Sequence, residues 1–171
     1  MFIYLNRTGY NGLYRVNRTG AFNVPPGRYV RPRILDTALL REASAALGAP
    51  GVRLELSAFE SVLDRASAGD FVYFDPPYAP LSPTANFRSY TASGFGDADQ
   101  ARLQQVAVEL ARRGVTVLLS NSTAPSVVGL FEGDASAAGV GLRALRVPAR
   151  RAINTRADRR GTVEELLVTN A

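Results

Sequence analysis

Residues 71–78 read FVYFDPPY, an apolar run that ends abruptly in an acid, two prolines and a tyrosine. Phe71, Val72, Tyr73 and Phe74 have the pattern of a strand buried in a parallel sheet. The run stops at Asp75, Pro76, Pro77 and Tyr78. Proline has a fixed φ and no N–H, so the pair ends the strand and makes a stiff turn. The expected turn holds its proline carbonyls outward as free acceptors, beside the Asp75 carboxylate and the flat ring of Tyr78. These groups suit a planar ring bearing an exocyclic amine. Two N–H bonds go to the carboxylate and a proline carbonyl, and the ring stacks on the tyrosine. Such bonds draw the amine lone pair out of conjugation, so a poor nucleophile can attack an electrophilic methyl group in line. Taken alone, four residues of this kind are also an ordinary strand-ending turn. Their place after a strand in an α/β pattern favours the chemical role.

Outward from this stretch, helix and strand signals alternate. Val52–Leu56 alternates apolar and charged residues like a short strand, and Ser57 with Glu60 forms a capping-box pattern for a helix reaching near Gly69. Residues 79–96 are rich in Pro, Ser, Thr and Gly and read as a loop. Asp97 is placed to cap a helix with the stripe Leu103, Val106, Ala107 and Leu110, ending at Gly114. Val115–Leu119 is a second buried strand, followed by Ser120 and Asn121; Val140–Val147 and Val163–Thr169 read as two more. The alternation predicts a parallel α/β sheet with crossover helices, whose ligands lie beyond the carboxyl ends of the strands. Asp75, Ser120 and Asn121 all fall at that edge. Residues 36–47, from Asp36 to Leu47 with Gly48 behind, read as a further helix.

Composition narrows the chemistry. With no Cys, thiolate nucleophiles and Cys-based metal sites are excluded; with no His, the commonest general base is missing. All 20 basic residues are Arg, so lysine Schiff bases and phosphate-loop lysines are out. Carboxylates, aromatics and backbone dipoles remain. The net charge of +5 is unevenly spread. Residues 1–33 hold six Arg and no acid, and residues 143–160 hold seven Arg and only Asp158. Two basic blocks around a mildly acidic middle suggest a polyanionic partner, although Arg is also simply this chain's only surface cation. In the first block, arginines are interleaved with Tyr10, Tyr14, Phe22 and Tyr29, which suits contact with nucleic acid. No apolar run has the length of a membrane span and no signal-peptide pattern opens the chain, so the expected setting is cytoplasmic, at the nucleoid.

With FIYLNRTGYNGLYRVN, FNVPPGRY, FDPPYAPLSPTANFRSY, VLLSN and RRAIN…RRGTVEELLVTN in view, the chain resembles the Dam-like DNA adenine-N6 methyltransferases nearly end to end. The turn alone would also admit cytosine-N4, RNA and protein-glutamine methyltransferases; residues 4–29 look like this family's target-recognition segment. The resemblance implies a Rossmann-like sheet, S-adenosyl-L-methionine as methyl donor, no metal, and double-stranded DNA, commonly GATC, as substrate. By position, it implies that Asp75, Pro76, Pro77 and Tyr78 hold the flipped adenine, with Asp75 also near the donor. Ser57 and Phe59 match the lining of the cofactor's adenine. Tyr10 and Asn11 match residues that wedge beside the flipped base, and Leu13 and Arg15 match base-reading positions. Pro25 matches an apolar contact to a thymine methyl, and Arg28 a base or phosphate contact.

The family also has an earlier Lys/Trp/Gly-rich segment and a strand followed by a Phe-x-Gly-x-Gly loop, and the sequence carries neither. The expectation is therefore an N-terminally truncated member, with residues 1–50 a partial target-recognition segment. Residues 51–171 would be a catalytic core lacking its first strands. Such a piece would expose apolar sheet faces, tend to aggregate, keep some DNA affinity and turn over weakly or not at all without a partner chain supplying the missing half. A DNA-binding remnant without catalysis and a methyltransferase acting on an RNA or protein amine stay open as alternatives.

Overall fold

A computed structural model describes residues 1–17, 19–81, 95–150 and 162–171. Two compact units appear, Met1–Ser57 and Ala58–Ala171.

The first unit opens with helix α1 (Phe2–Thr8), followed by a 3-10 turn, Tyr10–Gly12. Gly9 joins them because nothing larger fits: a Cβ there would stand 2.8 Å from the Leu5 carbonyl oxygen. Two isolated bridges, Gly9 to Pro26 and Val16 to Phe22, fold the segment after it back on itself. Between the latter pair, the Asn17 side-chain oxygen accepts from the Thr19 and Ala21 N–H groups at 3.0 Å, closing a turn without sheet structure. The Tyr14 ring lies between Phe2 (4.9 Å) and Phe22 (5.6 Å). Helix α2 (Thr37–Leu47) begins as expected at Asp36, whose carboxylate accepts from the Leu39 N–H at 3.3 Å, and ends at Gly48.

Residues 52–56 correct the sequence reading: they are exposed and belong to no described strand or bridge. Alternation prepares two faces, but a strand exists only where its backbone groups find a neighbour. The helix expected from Ser57 is also shorter, a 3-10 turn over Phe59–Asp64 whose N-cap is Ala58 without a side-chain cap.

The second unit is built on strands β1 (Phe71–Phe74), β2 (Thr116–Ser122), β3 (Arg143–Arg150) and β4 (Thr162–Thr169), in the order β1-β2-β4-β3. β1 and β2 are parallel, with Phe74 opposite Leu119. β4 runs antiparallel to both neighbours, placing Asn121 opposite Leu166 and Ser122 opposite Glu165. The sheet is therefore mixed rather than wholly parallel. The reversal has a use: it brings the start of β4 to the edge where β1 and β2 end.

Helix α3 (Asp97–Arg112) supplies the crossover between β1 and β2. Its N-cap is Gly96, one residue earlier than expected, and the Asp99 carboxylate accepts the Gly96 N–H at 2.8 Å. Its stripe Leu103, Val106, Ala107 and Leu110 packs with Val115, Val117, Leu119, Leu166 and Val168 in the core. Helices α4 (Pro125–Phe131) and α5 (Ala135–Gly139) add Val127, Phe131 and Ala137. β1 corrects the expectation of a strand buried on both faces, since Phe74 is buried while Phe71 and Tyr73 are 62% and 52% exposed. The loop expected over 79–96 and the Arg-rich connection before β4 fall largely outside the described residues. Among the described residues no helix is long and apolar enough to cross a membrane.

Candidate active site

β1 delivers Asp75 to the carboxyl edge of the sheet with its side chain exposed. One carboxylate oxygen, Oδ1, accepts from the Ser120 hydroxyl of β2 at 3.2 Å. Ser120 has one proton; the Phe74 carbonyl stands farther off at 3.5 Å and is uncharged, and the nearby Tyr78 hydroxyl is uncharged too, so the carboxylate takes it. The Tyr73 hydroxyl, 3.0 Å from Ser120 Oγ, is then the donor to Ser120. This Tyr73–Ser120–Asp75 chain orients the carboxylate, and among the described residues nothing donates to its Oδ2.

The two prolines differ. The Pro77 carbonyl accepts from Gln100 Nε2 of α3 at 3.1 Å. That corrects the expectation of two free proline carbonyls. Among the described residues none donates to the Pro76 carbonyl, which is left as the acceptor beside Asp75.

Tyr78 is half-buried, and its hydroxyl donates to Glu165 of β4 at 3.3 Å. Burial raises its pKa above 10.0; the Ser120 hydroxyl lowers it, and the charges of Glu165 and Asp75 raise it again. The phenol therefore stays protonated at neutral pH, as a donor to Glu165 requires. Ala79 closes the turn, its N–H on Asn121 Oδ1 (3.1 Å) and its carbonyl on Ser122 Oγ (2.6 Å).

Other candidates from the sequence are placed separately. Phe59 is half-buried at the start of its 3-10 turn, its ring meeting that of Phe95 edge-on at 6.0 Å. In the first unit, Ser57 is exposed at the end. There, the Tyr10 N–H donates to the Pro25 carbonyl at 2.8 Å while its ring is 38% exposed. Asn11 adopts a left-handed φ of 53°, which an asparagine accepts more readily than most residues. Leu13 is half-buried, and Pro25 and Arg28 are exposed. Arg15 is held by Asn23, Nε donating to the side-chain oxygen at 2.8 Å and a terminal nitrogen to the carbonyl at 3.1 Å. Tyr10, Asn11, Leu13, Arg15 and Pro25 thus share one compact segment. In the second basic block, Arg146 is already paired with Glu132 at 3.0 Å, which weakens its claim as a polyanion contact. Arg151, Arg156, Arg159 and Arg160 lie outside the described residues.

Gln100, Ser122 and Glu165 also meet at the turn, and the sequence reading named none of them as a site residue. Gln100 had a signal: it continues the buried stripe of α3 one turn ahead of Leu103, and a polar side chain on such a stripe must find a partner.

Comparison with known proteins agrees with the resemblance. Residues 1–145 match the family model described as D12 class N6 adenine-specific DNA methyltransferase. The chain is 44% identical over 171 residues to a type II methyltransferase, M.MjaIII, of Methanocaldococcus jannaschii, covering 99% of this chain and 56% of the relative. It is 40% identical over 168 residues to type II methyltransferase M1.LlaDCHI of Lactococcus lactis, covering 98% and 56%. To a DNA adenine methylase of Vibrio cholerae it is 39% identical over 167 residues, covering 97% and 56%. The chain thus spans about half the length of the curated relatives it matches.

Proposed function

Since the chain belongs to the D12 class N6 adenine-specific DNA methyltransferase family, we propose that it serves transfer of a methyl group to N6 of adenine in duplex DNA, with GATC as the site. The observation that carries this reading lies at the carboxyl edge of the sheet, where among the described residues nothing donates to Asp75 Oδ2 or to the Pro76 carbonyl. An exocyclic amine has two N–H bonds to give, and these two oxygens stand on adjacent residues to receive them. Asp75, fixed through Ser120, concentrates charge on the amine nitrogen. Tyr78, pinned by Glu165, offers its ring to the base. A base inside a duplex cannot reach such a turn, so the target adenine must be extruded from the stack.

S-adenosyl-L-methionine supplies the activated methyl group when bound. The residues present suit it in part: an exposed carboxylate at Asp75 for a cationic sulfonium, and the half-buried Phe59 ring for its purine. Ser57 is assigned to it by the resemblance alone. In the first unit, Arg15 is our base-reading residue, because a guanidinium held by Asn23 can present a planar edge to guanine. On the resemblance, we assign Tyr10 and Asn11 to wedge at the vacated position, Leu13 to read a base beside Arg15, Pro25 to touch a thymine methyl, and Arg28 to meet base or phosphate.

Incubation of the chain with labelled S-adenosyl-L-methionine and a GATC duplex, with nucleoside separation afterwards, tests the proposal. Whatever label is transferred, weak turnover included, is expected in N6-methyladenine. Label in another base, in RNA or in protein rejects the substrate. Duplex binding without transfer rejects catalysis by this chain and leaves a DNA-binding role.

A further inference from the structure

Behind the Asp75–Tyr78 turn lies a buried polar chain whose members can be oriented from the backbone alone. Asn121 is fully buried on β2. Its Oδ1 accepts the backbone N–H groups of Ala79 (3.1 Å) and Ser122 (2.8 Å). Reversing that amide would set a donor against two donors, so the oxygen must face them. Asn121 Nδ2 is thereby turned to Gln100, which accepts with Oε1 at 2.9 Å. Gln100 Nε2 is then left facing the Pro77 carbonyl, to which it donates at 3.1 Å. Each orientation dictates the next, starting from two main-chain N–H groups.

We propose that the Gln100–Asn121 amide pair is a positioning device for the amine-binding turn: by holding the Pro77 carbonyl and the Ala79 N–H, it makes the Pro76 carbonyl the acceptor presented with Asp75. The inference rests on the adenine-amine reading of the turn and adds residues to it. Proline stiffness by itself does not choose between two adjacent carbonyls. Gln100 chooses, because the carbonyl it occupies points into the protein. Ser122 completes the hold by donating to the Ala79 carbonyl at 2.6 Å while accepting the Ala124 N–H at 3.3 Å. Among the described residues no buried side-chain polar atom lacks a partner, and fully satisfied networks of this kind rigidify what they touch.

α3 carries its own control. Gln104, also buried, donates to Asp134 and Ser136 at 3.1 Å, and among the described residues it makes no hydrogen bond to the turn. Gln100→Glu keeps the shape and the bond from Asn121 but replaces the donor to Pro77 with an acceptor. Gln104→Glu removes the corresponding donor one turn along the helix, where the new carboxylate faces Asp134 and Ser136 instead of Pro77. Amide exchange on the wild-type chain comes first. The Ala79 amide is expected to be protected like that of Leu119 in β2, and exchange at an open-loop rate would overturn the proposal. In Gln100→Glu, Ala79 is expected to exchange about tenfold faster while β2 and β4 keep their protection. The kcat for duplex methylation should fall about 10- to 100-fold with KM changed by less than about twofold, as a misplaced acceptor requires. Gln104→Glu should leave Ala79 exchange and kcat alone. Equal loss in both variants, or an unchanged Ala79 in Gln100→Glu, overturns the proposal. If the wild-type chain transfers no methyl group, that counts against the function proposed above, and the exchange measurements still decide the clamp.

Discussion

Between residues 58 and 171 the described structure buries 17 apolar residues in one cluster, whereas the unit formed by residues 1–57 buries one apolar side chain, that of Val24. The first unit keeps its shape by side-chain-to-backbone turns, a short ring stack and backbone bridges; the second keeps it by a packed core. Apolar burial is the dominant favourable term in folding, so the two should respond differently to the same kind of change. The second has the stability to hold a turn rigid at its edge. The first presents tyrosines and arginines at its surface, where a ligand can meet them.

The largest effect should fall on chemistry in the second unit. Asp75→Ala removes the oriented carboxylate, and methyl transfer is expected to drop by about 1,000-fold or more, with little change in thermal midpoint or duplex affinity. A labelled-methyl assay beside a binding titration reads both; retention of transfer would remove the functional half of the contrast. Next comes packing. Leu166 is fully buried between β2 and β3, so Leu166→Ala should cost about 2–5 kcal/mol in urea unfolding, while Leu39→Ala on exposed α2 should stay within about 0.5 kcal/mol. Equal costs would mean that the first unit hides a core of its own. A third, smaller effect belongs to the first unit. Arg15→Ala should weaken duplex binding by about 1–3 kcal/mol and relax preference at one base, while its exposed bonds to Asn23 cost stability only about 0.5 kcal/mol. Titrations at two salt concentrations with matched and mismatched duplexes would show it.

The smallest effect concerns pH. The Asp134 carboxyl is held below its ordinary 3.8, first by the Ser136 hydroxyl and then by the Ala137 N–H. A depressed folded pKa contributes stability that is fully present above the unfolded value and lost as pH falls through the folded one. Asp134→Asn should therefore differ from wild type above about pH 5 and converge with it in stronger acid, read from denaturation midpoints along a pH series.

The sequence made α2, α3, β1 and the Asp75–Tyr78 turn legible because each announces itself locally, through a cap, a stripe or a proline pair. Strand direction has no local signature. Leu166-Leu167-Val168 would look the same running either way, and the helix–strand alternation pointed to a parallel β4. A better clue was the connection before it, which is short for a parallel crossover and has no helical stripe. Residues 52–56 failed for the complementary reason: alternation was present, but the stretch joins no described strand or bridge. At the site, proline chemistry suggested two free acceptors. Only the packing of α3 against the turn shows that one is taken.

β1 is four residues long and, among the described strands, pairs with β2 alone, yet it carries Asp75 at its end. The β2–β4–β3 ladder is longer and anchored from both sides in its middle strand. On gentle warming, the short strand has fewer bonds to lose and should let go first. Heat inactivation would then set in below the temperature at which calorimetry records melting, and cooling from that interval would restore activity.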